Sequence, residues 1–228
     1  MSPDPYPHVT STCTTRREPW ALLVFCALLP LGFAYVAVVL CGRSSPFASR
    51  VDPWGDWLGV TLSGPALYLL AAHPLHSARL ARPAGFAAWG FMFFAGLHWE
   101  WIGRLTGAHF SLTAHDMARL TSADLTMLLV AAVLILALLS HCFVLARRGR
   151  FLLRWVLSFG TFVLLFPLVT LLLGSGWRFH LHHYFWALCL APFIRFPSLP
   201  CLCSQAFLIG VYVEGAGRWG MAPIWNRA

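Results

Sequence analysis

From Trp20 to Cys41 the chain runs for 22 residues without a charge, broken only by Pro30 and Gly32. At about 1.5 Å per helical residue, such a run crosses a hydrocarbon core of about 30 Å. It is too long for a cleaved signal core and ends in no small-residue cleavage site, so it is expected to remain as a first span. Further apolar runs predict spans at about 57–72, 86–102, 125–145, 155–173, 177–194 and 201–217. The expected fold class is therefore all-α: a polytopic transmembrane helical bundle of about seven spans, forming a single domain over 20–222 between tails at 1–19 and 223–228. The last two runs, joined by Arg195-Phe-Pro197-Ser-Leu-Pro200, are shorter and predict a tight antiparallel hairpin.

Local signals place the ends of these spans. Trp54 and Trp57 suit a membrane interface, and Asp56 suits a helix N-terminus. Gly64-Pro65 and Pro167 are expected to bend their helices. The small residues among the aromatics of 86–102 permit close helix contact. Between Gly103 and Asp124 the sequence turns polar, and Thr113 with Asp116 predicts a capped, short interfacial helix.

Composition narrows the function classes. Apolar residues make up 59% and charged residues 11%, with a mean hydropathy of +0.70, outside the usual range of soluble domains. The net charge is +8, but all sixteen basic residues are arginines dispersed between apolar runs, which fits membrane flanks rather than a nucleic-acid face. The lipid bilayer is the expected partner, with other membrane subunits beside it and no nucleic acid. The tightest cluster, Arg147, Arg148, Arg150 and Arg154, sits between two spans, where headgroup contact accounts for it. Arginines on alternate loops number nine on the N-terminal side against seven on the other, which favours a cytoplasmic N-terminus. The seven cysteines read as small packing residues, and Cys201 and Cys203 lie too close in sequence for a zinc pair.

One polar constellation stands out in the terminal hairpin. His180, His182 and His183 fall within five residues, and on a helix His180, His183 and Tyr184 would share a face. Two imidazoles three apart can hold a metal ion or relay a proton, so His180 and His183 are the candidate metal ligands. In the next run Glu214 and Arg218 stand four apart, in the favourable order for an ion pair, at a depth similar to His183. Gly210 and Gly217 flank Glu214 and permit close approach. A second pair, Glu100 and Arg104, follows His98 near the end of the third span. His98 reads first as a lone interfacial histidine and second as a partner for the hairpin cluster.

Phosphate loops, nucleophile elbows and zinc-protease motifs do not occur in the sequence. One histidine cluster is too few for a membrane di-iron enzyme. Two facing histidines, His98 or His141 with His183, would meet the minimum for a b-type haem.

The segments His180-Leu-His182-His183-Tyr184, Ile194-Arg195-Phe196-Pro197, Ser204-Gln205, Leu208-Ile-Gly210 and Gly215-Ala-Gly-Arg218-Trp219-Gly220 resemble the C-terminal membrane segment of the LCCL-domain membrane proteins of fungi and protists. The resemblance covers about residues 177–225. It implies a histidine-rich helix start, a short R-F-P turn and a glycine-containing final helix, and it implies no catalytic role. The chain has no room for an LCCL domain, so a ligand-binding ectodomain is not carried over. The matched positions are His180, His182, His183, Arg195, Gln205, Gly210 and Arg218.

Three function classes stay open at this point. The preferred one is a non-enzymatic scaffold or subunit of a membrane assembly, because intramembrane ion pairs are often architectural. It requires no cofactor. A small transporter or proton-linked carrier would use the same His/Glu/Arg cluster. A membrane oxidoreductase would add a metal or haem.

Overall fold

The computed structural model describes residues 19–41, 52–72, 83–106, 120–174, 176–179, 183–196, 198–221 and 225–227. Helix α1 (Pro19–Tyr35) carries Pro30 inside it and ends in a wider π turn, Val36–Leu40. Helix α2 (Pro53–Leu67) starts before the expected span, because the Asp52 side chain accepts the Trp54 and Gly55 N–H groups at 3.2 and 3.1 Å and Pro53 fits the first turn. It passes through Gly64-Pro65 and closes in a second π turn, Tyr68–Ala72. The expected third span is split at His98 into α3 (Pro83–Leu97) and α4 (Trp99–Thr106). The expected interfacial helix around Thr113 and Asp116 lies outside the described residues. Helix α5 (Ser122–Arg148) opens with a reciprocal cap: Asp124 N–H donates to Thr121 Oγ1, and Thr121 N–H donates back to the Asp124 carboxylate. Helix α6 (Leu152–Leu173) contains Pro167, and Gly174, at φ +81°, follows it.

The sixth expected span requires correction. Trp177–Phe179 is a strand, β1, not the head of a helix, and it pairs antiparallel with β2 (Trp225–Arg227), Trp177 opposite Arg227 and Phe179 opposite Trp225. Aromatic-rich segments suit an extended ribbon. The expected C-terminal tail at 223–228 therefore includes a paired strand. Trp225 also ties the ribbon to α6, donating its indole N–H to Thr170 Oγ1 at 3.1 Å. Helix α7 starts only at His183 (His183–Leu190) and runs on as a 3-10 turn, Ala191–Ile194, a helical rise of about 18 Å. The last helix, expected to be short as well, is not: α8 (Leu199–Trp219) has 21 residues. Apart from the ribbon the described fold is helical. Among the described residues four helical stretches, Ala21–Leu40, Ser122–Arg148, Leu152–Leu173 and Leu199–Trp219, are long and apolar enough to cross a membrane.

Packing fixes the helix directions. Phe25 meets Tyr68 at 5.6 Å and Cys26 lies beside Gly64, so α1 and α2 run antiparallel. Phe25 meets Trp89, and Tyr35 meets His98, so α3 runs with α1. Gly32 faces Val213 and Gly217 faces Val36, so α8 also runs with α1. Ser63 bonds Tyr212 and Asp56 accepts Met221 N–H, so α2 opposes α8. Phe159 meets Phe193 and Phe166 meets Phe185, so α6 and α7 are antiparallel. The bundle thus has two ends. One gathers the start of α1, the α5–α6 turn and the start of α8; the other gathers the start of α2, α4, the start of α5, the ribbon and the end of α8.

Helix α8 is the centre. Two thirds of its apolar window is buried (67%), against 6% for α5 and none for α6. Its small residues make this possible. A Cβ added at Gly96 of α3 would stand 2.9 Å from the Gly210 Cα, and one added at Gly210 would strike the Phe93 carbonyl oxygen. The two helices therefore meet backbone to backbone.

Candidate functional site

Glu214 lies in the second-last turn of α8 and is fully buried. One partner is on its own helix: Arg218 Nε donates to Glu214 Oε1 at 2.6 Å, and the Arg218 side chain is 10% exposed. The four-residue spacing stacks the two side chains on one face, with the cation nearer the C-terminus, where the helix dipole favours it. Gly210 and Gly217 do flank Glu214 closely, but against two different helices: Gly210 on α3 and Gly217 against Val36 of α1. The carboxylate is thus held where three helices converge.

The second pair, Arg104 to Glu100 at 3.4 Å, lies toward the same end with side chains 59% and 29% exposed. Water screens a pair so exposed, and it contributes little. Cys41, closing α1, stands within electrostatic range of both pairs.

His98 sits at the break between α3 and α4. Its Nδ1 faces the Phe94 carbonyl at 2.9 Å, and since a carbonyl only accepts, Nδ1 carries the proton. Nε2 is then the acceptor for the Tyr35 hydroxyl at 3.2 Å. Both ring nitrogens are engaged, which makes His98 a link between α1 and α3. His141 is a similar link at the other end, 3.0 Å from Ser198 Oγ.

Tyr184 is buried in the central core, within electrostatic range of Asp56 and Tyr212. His183 opens α7 at the same end as Glu214. His180 and His182 lie outside the described residues, as does the His183 side chain. Among the described residues, groups of three or more histidine, cysteine or acidic side chains placed to share a metal ion do not occur.

Gln205 is the polar residue that spacing alone does not single out; it enters the sequence reading only through the family resemblance. It is fully buried, and its Nε2 donates to the carbonyls of Ala71 at 2.6 Å and Ala191 at 3.0 Å. Both carbonyls belong to the ends of helical segments, the π turn after α2 and the 3-10 turn after α7, where the regular α ladder is broken. One amide thereby joins three segments. The available signal was a lone amide inside an apolar run. Nearby, Cys142 of α5 and Cys201 of α8 bury their sulfurs 3.8 Å apart.

No family model matches the sequence, and neither a curated protein nor a solved structure matches it.

Proposed function

We propose that the chain is a multi-pass integral membrane protein of seven alternating passages and serves as a non-enzymatic scaffold or subunit of a membrane assembly, with α8 as its central post. The observation that carries this reading is the pairing of the fully buried Glu214 with Arg218 of its own helix, at a three-helix junction. A buried charge neutralised by a neighbour four residues along its own helix suits an architectural role. Gln205 and the His98–Tyr35 link add what that pair does not, each tying separate segments together. Gln205, Gly210 and Arg218 are also positions of the resemblance to LCCL-domain membrane proteins, which supports a shared structural use of that terminal segment. The sixth passage reaches only about 18 Å as helix, and the β1–β2 ribbon carries the chain on toward the surface. With α8 packed antiparallel on it, this forms the terminal hairpin.

The test is proton flux in sealed proteoliposomes under an imposed pH gradient. Wild type is expected to leak no faster than protein-free vesicles, and Glu214→Gln to behave identically. Flux in wild type that Glu214→Gln removes would replace the scaffold with the proton-linked carrier.

A further inference from the structure

We propose that the arginine-bearing end of the bundle is a binding surface for the headgroups of anionic phospholipids, centred on the turn between α5 and α6. Arg147, Arg148, Arg150, Arg154 and Arg195 are all exposed. Among the described residues, none of the five pairs with a carboxylate. The described acids, Asp52, Asp56, Glu100, Asp124 and Glu214, all lie toward the opposite end, where Arg104 and Arg218 are already paired. Among the residues whose side chains are described, the carboxylates thus lie toward one end and these five unpaired arginines lie at the other.

Packing draws the fifth arginine to the other four. The Phe151 and Phe196 rings stack at 5.7 Å with 14° between their planes, and each ring directly follows an arginine, Arg150 and Arg195. The backbone of the turn points the same way. Helix α5 ends with Phe151 N–H donating to Ala146 O at 3.1 Å and Arg150 N–H donating to Arg147 O at 3.2 Å. That double closure puts Arg150 in the left-handed region, at φ 59°, a place usually taken by glycine. Gly149 stands one residue too early to fill it. The turn thus gives up backbone stability to carry one more cation.

Five guanidinium groups with no anion among them repel one another, and phosphate oxygens relieve that repulsion while matching the planar donor fork. The turn joins two helices whose apolar side chains face outward along nearly their whole length, which sets the arginines at headgroup depth.

The inference rests on the membrane reading and not on the scaffold role. Its test is the association of spin-labelled phosphatidylglycerol and phosphatidylcholine with the full chain in phosphatidylcholine vesicles. Wild type is expected to prefer phosphatidylglycerol. Arg150→Gly is expected to lower that preference up to about fivefold, the factor for one basic residue at the surface, while its melting temperature holds or rises, since glycine relieves the strained turn. Inorganic phosphate is expected not to displace the lipid. Equal association of the two lipids with wild type, an unchanged preference in Arg150→Gly, or displacement by inorganic phosphate would overturn the proposal. Each of those outcomes leaves an inserted protein, so the membrane reading survives them.

Discussion

Gly210→Ala is expected to lower the melting temperature of the detergent-solubilised protein sharply and to cut the yield of monodisperse material. The added methyl runs into the Phe93 carbonyl oxygen and crowds the Gly96 Cα at 2.9 Å. Both obstacles are backbone, so no side chain can swing away. Overpacking a core commonly costs about 1–3 kcal/mol where neighbouring side chains can yield. Here α3 and α8 must separate along a backbone-to-backbone contact, which puts the cost at the upper end of that range or beyond. Gly90→Ala is the control, because a methyl there meets nothing within 4 Å. It sits in α3, the helix that Gly210 packs against, and is expected to be neutral or to stabilise by up to about 1 kcal/mol through helix propensity. Equal melting temperatures for the two variants would dissolve the close α3–α8 contact.

Arg218→Met is expected to be the more damaging half of the Glu214–Arg218 pair. It strips the 2.6 Å cation from a carboxylate with no exposure, and breaking a buried pair in this way costs about 3–5 kcal/mol. Glu214→Leu is expected to cost less. The remaining arginine lies one turn nearer the end of α8, is 10% exposed, and can extend its head toward water. The double variant, Glu214→Leu with Arg218→Met, removes both charges and is expected to recover most of the loss. Thermal unfolding of the four proteins under one set of conditions measures the cycle. A double variant as unstable as Arg218→Met alone would mean that the pair does more than neutralise itself.

The most buried of the long helices carries the weakest apolar signal in the sequence. Residues 125–145 and 155–173 are read without difficulty, and the structure returns them as Ser122–Arg148 and Leu152–Leu173. They are legible because an outward-facing helix must be apolar on every side. Helix α8 is the least apolar of the four and the most buried. A helix surrounded by protein can carry Gln205, Glu214 and three closely placed glycines, which lowers its apparent claim to be a span while making it the centre.

The Glu214–Arg218 pair was legible because an i, i+4 contact depends only on local helix geometry. The partners of Gln205 were not, because they are carbonyls released by irregular turns more than ten residues away in one case and over a hundred in the other. The β1–β2 pairing joins segments separated by two helices, and no local pattern in Trp177–Phe179 announces it. The break at His98 depends on Tyr35 of another helix, which takes up the imidazole.

Seven alternating passages around α8 require an odd number of crossings, since α1 and α8 run in the same direction. Among the described residues four helical stretches are long by themselves, and four crossings would be even. The deciding measurement is protease protection of epitope tags placed before Met1 and after Ala228, in sealed, oriented vesicles. The expected result is one tag protected and the other cleaved. Both tags cleaved from the same face would contradict the seven-passage bundle.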